Sequence, residues 1–247
     1  MPVQLREQAM QVSHHLATAM PEVDGVCLYG SVARGDERAT SDIDLLVVGR
    51  NPSLSASKLR QRLPEDLRDA RVTFAYHTPD TLAAYLRRWS RFGAHVRQEG
   101  EILFDRDGQL HAALEQAIPV STREELEAQA RHLENYDELG RFGGHFLFPL
   151  AHLYSIGRSV IFALLAEREI LEFDSARAMQ RLAQELPAAA DEIHAVARLR
   201  PFHERATGRG RLPLPFAPRD CEVEVADARS AIRALIGRSR LADAISD

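Results

Sequence analysis

Leu28-Tyr29-Gly30-Ser31-Val32-Ala33-Arg34-Gly35, followed after four residues by Thr40-Ser41-Asp42-Ile43-Asp44-Leu45-Leu46, is the most informative stretch of the 247 residues. Gly25 to Tyr29 reads as a short apolar strand running into Gly30, where the missing Cβ lets the backbone turn and approach a ligand. Ser31 then offers a hydroxyl and a backbone N–H to phosphate oxygens, and a helix starting there would point its positive end at them. Arg34, one turn later, can add a charge-assisted fork to the same phosphates. Asp42 and Asp44 stand at i and i+2 of a second strand, Ile43 to Val48, so both carboxylates project from one face. Two like charges there are costly unless a cation compensates them. Mg²⁺, which prefers carboxylates, water and substrate phosphates, answers that need.

Working outward, Leu5, Ala9, Val12, Leu16 and Ala19 repeat at helical spacing before the first strand. Beyond the second strand, which is apolar on both faces as a central strand should be, a helix is expected over Leu54 to Arg68. A third strand follows over Val72 to Tyr76. Thr78-Pro79-Asp80 starts another helix, with Pro at its first position, and Glu99 to Phe104 reads as a last strand. After Ser121 strand signals nearly vanish. Ser121-Thr122-Arg123-Glu124-Glu125 has the pattern of a capping box, and helices are expected over 122–140, 145–168, 175–186, 188–206 and 220–237. The Gly- and Pro-rich 207–219 reads as a loop. The fold class expected is an α/β (α+β) domain over 1–118, a mixed sheet flanked by helices, then an all-α helical bundle over 119–247.

Gly-Ser-x-Ala-Arg-Gly, five residues, then Ser-Asp-Ile-Asp-Leu resembles the signature of the polymerase-β-like nucleotidyltransferases, closest to their minimal and aminoglycoside-modifying branches. The likeness covers about 20 residues directly and, more loosely, 24 to 108. It implies the fold, Mg²⁺ held by Asp42 and Asp44, and ATP or another nucleoside triphosphate held by Gly30, Ser31 and Arg34. Many members carry a third acid on the next strand. Here that position falls near Thr73, in Val72-Thr73-Phe74-Ala75-Tyr76, and the acid is missing. Asp137-Glu138-Leu139-Gly140-Arg141 is similar to a step in the helical domain of some aminoglycoside nucleotidyltransferases, in which the acid serves as general base and the basic residue touches phosphate. Asp137 and Arg141 at i and i+4 would share one helix face. The plainer alternative is a surface ion pair, and Glu134 and Glu138 are neighbouring candidates for the base.

Composition narrows the field further. A net charge of −5 gives no global basic field, so stable nucleic-acid binding is not expected. Lys58 is the only lysine among 31 basic residues, a bias that fits a GC-rich genome better than a phosphate surface. Cys27 and Cys221 match no zinc pattern and suit a reducing compartment. No run of 18 apolar residues suggests a membrane span; Leu147 to Leu165 is interrupted by His152, Ser155 and Arg158. The N-terminal residues lack a signal-peptide layout, and a cytoplasmic location is expected.

Arg198-x4-His203 resembles the Arg-x4–6-His signature of HEPN-type helical domains, some of which are RNases, although Pro201 interrupts the segment. His145 and His152 lie two helical turns apart, where packing explains them. Arg87-Arg88-Trp89 with Arg91 and Arg97 reads as a solvated helix face. The expected function is transfer of AMP (or another NMP) from ATP to a hydroxyl of a small molecule such as an aminoglycoside, with Asp137 taking the acceptor proton and Arg141 touching phosphate. Two alternatives stand beside it: adenylylation of a protein partner, and a catalytically weak nucleotide-binding module. A homodimer is compatible with either.

Overall fold

A computed structural model describes residues 2–37, 41–68, 70–88, 90–116, 121–208 and 218–240. The chain divides into two compact units, Met1–Val120 and Ser121–Asp247.

The first unit is a four-stranded mixed sheet with helices on both faces. Its elements are α1 (Pro2–Ala19), β1 (Val23–Tyr29), the single turn α2 (Ser31–Arg34), β2 (Ile43–Gly49), α3 (Ala56–Gln61), α4 (Glu65–Arg68), β3 (Val72–His77), α5 (Pro79–Arg88), α6 (Ser90–Glu99), β4 (Glu101–Asp105) and α7 (Gln109–Glu115). The strand order is β3-β2-β1-β4. β1 pairs antiparallel with β2 and β4, and β2 pairs parallel with β3. β2 is therefore central, as its two-sided apolar pattern requires.

Strand alternation divides the core. Val26, Leu28, Leu45, Val47, Val72 and Phe74 face one side with Ala9, Val12 and Leu16 of α1 and Leu59 of α3. Cys27, Leu46 and Val48 face the other with Leu82 and Leu86 of α5, Val96 of α6, and Leu110 and Leu114 of α7. Three expectations change here. The helix expected over Leu54–Arg68 is two short ones, because Pro64 has no N–H to continue the ladder. Glu99 closes α6 instead of opening β4, and α7 has no counterpart in the sequence reading. α5 begins as expected: Thr78 caps it, its N–H donating to Thr81 Oγ1 (2.7 Å) while Thr81 N–H donates back to Thr78 Oγ1 (3.3 Å), with Pro79 at the first helical position.

The second unit contains α8 (Thr122–Glu134), a 3₁₀ turn (Leu139–Phe142), α9 (Leu147–Ala166), α10 (Ser175–Glu185), a 3₁₀ turn (Pro187–Ala189), α11 (Ala190–Ala197), α12 (Arg200–Ala206) and α13 (Pro218–Gly237). α9 is central, burying Leu150, Leu153, Ile156, Val160, Ile161 and Leu164 among its neighbours. Ser121 stands at the N-cap of α8 in extended conformation, but no side-chain cap hydrogen bond forms, so the capping box is not realised. The segment expected as one helix over 188–206 is divided, since Pro201 lacks the N–H that would bond back to Ala197. Most of the expected 207–219 loop, residues 209–217, lies outside the described residues.

Candidate active site

The Gly30–Ser31 corner follows directly from the sheet. β1 ends at Tyr29, whose register partner on β2 is Asp44. The chain then turns through Gly30 at φ 77° and ψ −154°, and α2 follows for four residues, closed by Gly35 in the left-handed region. A Cβ on Gly30 would lie 2.7 Å from Asp44 Oδ2. The carboxylate thus packs against the turn that the sequence assigns to phosphate binding. Because α2 is one turn long, its contribution is its leading N–H groups and the Ser31 hydroxyl, not a helix dipole.

β2 begins at Ile43, so Asp42 stands one residue before the strand instead of within it. Ile43 and Leu45 are fully buried on the α1 face, while Asp42 and Asp44 are half-buried. Among the described residues no group of three or more His, Cys, Asp or Glu is placed to hold a metal ion. Asp44 beside the Gly30 turn, with Asp42 two residues before it in the chain, offers oxygen donors of the kind Mg²⁺ takes together with water. They do not make a closed protein cage.

In the parallel β2–β3 register Thr73 is the direct partner of Asp44, on the strand face that carries the acids. Nothing acidic stands at that point of β3.

Arg34 is engaged differently from the phosphate fork expected of it. Its Nε donates to both Asp36 carboxylate oxygens (3.2 and 3.1 Å), and Nη1 donates to Glu99 Oε2 (2.6 Å) at the end of α6. His95, one turn earlier on α6, places Nε2 3.0 Å from that same Glu99 oxygen and its ring edge-on to Tyr29 at 5.6 Å. Burial, with the Arg34 charge adding to it, pushes His95 down to about 4. Burial, and then the charge of Asp44, pushes the Tyr29 hydroxyl well above its ordinary range. Asp36, His95 and Glu99 are site residues that the sequence reading did not find. The i,i+4 spacing of His95 and Glu99 was visible, but their meeting with Arg34 was not.

In the second unit Asp137 and Arg141 do not share a helix face. α8 stops at Glu134, Asp137 lies in the turn after it, and Gly140–Arg141 belongs to a 3₁₀ turn. The Arg141 side chain lies outside the described residues, as do those of Arg87, Arg88 and Trp89. Asp137 instead accepts from Arg229 Nη1 on α13 at 2.7 Å, with Arg233 Nη2 3.6 Å away, both on Oδ1.

Arg198 pairs with Glu224 (3.4 Å), while His203 packs against Tyr154 (5.0 Å) with Nδ1 3.4 Å from Ser155 Oγ. His152 Nδ1 hydrogen-bonds with the Tyr136 hydroxyl at 2.6 Å.

A family model described as "Polymerase beta, Nucleotidyltransferase" matches residues 11–109. No curated protein matches the chain. Among solved structures, similarity extends to spectinomycin adenyltransferase AAD(9) from Enterococcus faecialis, solved with ATP and spectinomycin. Identity is 11% and the TM-score 0.51, over 92% of this chain and 99% of that one. A toxin–antitoxin structure with AMP-PNP aligns at 20% identity and TM-score 0.34, over 52% of this chain and 94% of that one. A nucleotidyltransferase-like protein from Exiguobacterium sibiricum 255-15 aligns at 16% and 0.40, over 96% and 76%.

Proposed function

We propose, from the match of residues 11–109 to the polymerase β nucleotidyltransferase family model, that the protein transfers AMP from ATP to a hydroxyl of a small molecule, with Mg²⁺ required. The observation that carries this reading is the contact of the Asp44 carboxylate with the Gly30 turn. It puts an acid that can bind a divalent ion beside N–H groups that can bind phosphate. Asp42 and Asp44 would hold the ion, which when bound polarises the α-phosphate and neutralises developing charge. Gly30, Ser31 and the leading N–H groups of α2 orient the triphosphate. The acceptor oxygen bonds to the α-phosphorus, the bond to the bridging β-oxygen breaks, and pyrophosphate leaves.

Asp137 is our candidate for the acceptor proton. Among the described residues both arginines that hold it contact Oδ1, which leaves Oδ2 to take the proton, and Arg141 would touch phosphate. The Asp137→Asn protein should lose on the order of 10² to 10⁴ in kcat while ATP affinity stays unchanged. Equal turnover by that variant would remove Asp137 from the mechanism. Adenylyl transfer to spectinomycin, the ligand in the neighbour of like fold, makes aminoglycoside-type amines with hydroxyls the first acceptors to try.

One observation favours a second reading. Thr73 occupies the register position beside Asp44, where family resemblance calls for an acid, and this supports a module that binds nucleotide with weak chemistry. Incubation with α-labelled ATP and Mg²⁺, with an aminoglycoside panel or with cell lysate, separates the outcomes. Label on a small molecule supports the leading reading. Label on a protein would replace the acceptor class, and saturable ATP binding without transfer would favour the weak module.

A further inference from the structure

Arg34 sits in an ionic cluster that is nearly closed to solvent: its side chain is 13% exposed and that of Glu99 12%. The partners come from distant parts of the chain, Glu99 standing 65 residues from Arg34. One Glu99 oxygen receives Arg34 Nη1 and faces His95 Nε2, while the His95 ring supports Tyr29, the residue immediately before Gly30. The end of α6 therefore grips both sides of the turn: Tyr29 before it and Arg34 at the end of α2. Glu99 is itself an acid, so it cannot serve by attracting phosphate. Its geometry serves the turn.

We propose that Glu99 is a positioning residue of the triphosphate site, holding Arg34, and through it α2, so that Ser31 and the N–H groups of the turn face the nucleotide. This rests on the nucleotidyltransferase reading above. The opposing arrangement is that Arg34 leaves Glu99 on nucleotide binding to contact the phosphates itself. The two differ in sign. If Glu99 positions the turn, removing its charge weakens nucleotide binding; if Glu99 competes for Arg34, removing it strengthens binding.

The test is a double-mutant cycle on the full chain, reading the Kd for MgATP by calorimetry and folding by thermal unfolding. Glu99→Gln and Arg34→Gln should each raise Kd about tenfold, and the double variant should be no worse than either alone, because both changes break one strut. Glu99→Asp keeps the charge but shortens the reach, so it should fall between wild type and Glu99→Gln; it also serves if Glu99→Gln does not fold. An unchanged or lower Kd in the Glu99 variants overturns the proposal, as do additive effects in the double variant. Failure of the unaltered protein to bind MgATP would instead sink the nucleotidyltransferase reading, and this inference with it.

Discussion

Gly30 combines two constraints at one position. Its φ and ψ fall in a region essentially reserved for glycine, and its Cβ space is taken by Asp44 Oδ2. A Gly30→Ala protein should lose roughly 1–3 kcal/mol of stability and also lose MgATP binding, because relieving the clash moves Asp44 away from the turn. Urea unfolding alongside nucleotide titration checks both; full affinity in the variant would show that the turn does not touch the nucleotide. His95 adds a pH signature. Its folded value near 4 lies below the ordinary 6.5, so between those limits the unfolded chain takes a proton that the folded chain refuses. Unfolding free energy should therefore fall as pH drops from 6.5 towards 4, by about 2–3 kcal/mol from this group. His95→Asn should flatten that slope relative to wild type, and an identical slope would contradict the burial argument. At this scale the neighbourhood of Gly30 and Asp44 was legible, because β1 and β2 pair antiparallel and set Tyr29 opposite Asp44. The Arg34–Glu99 contact was not, because it depends on where α6 ends.

Elements were legible where propensity and pattern agreed and were misjudged where a local breaker won. All four strands were anticipated within two residues or so, since each is a β-branched or apolar run bounded by turn residues. Pro64 and Pro201 each divided a segment read as one helix, and α8 ended six residues early, at Glu134 instead of 140, which removed the helical pairing of Asp137 with Arg141. The α7 helix, short and with only Leu110 and Leu114 buried in full, gave too little periodicity to detect. Helix α9 yields the prediction at this scale. A Cβ on Gly157 would approach both methyls of Val196 on α11 to 2.7 Å, so the two helices meet through a missing side chain. Gly157→Val should overpack that contact and cost roughly 1–3 kcal/mol, read as a lower urea midpoint at constant slope. Val196→Ala in the same chain should recover part of the loss. Stability equal to wild type would mean that α9 and α11 can separate without cost.

For the molecule as a whole, the buried clusters of the two units share no residue: the sheet is covered by α1 and α3 to α7, and α9 is covered by α8 and α10 to α13. Leu147–Ala166 is long and apolar enough to cross a membrane by length and composition, yet most of it is buried within its own unit. The passage from an alternating strand–helix pattern to an unbroken helical one was written in the sequence as a change of period. No pattern in it encodes the acceptor of the proposed transfer, because that choice depends on the shape of a pocket. The two thiols also differ in kind. Cys27 is fully buried on β1, its sulfur filling the space that a side chain at residue 100 would need, and burial with the nearby Glu101 charge pushes it up to about 12. Cys221 is only half-buried on α13. A maleimide at neutral pH should attach one dye per native molecule, at Cys221, which intact-mass spectrometry would count. Labelling there would give the wild-type chain a single addressable handle on its helical half, for fluorescence work without engineering.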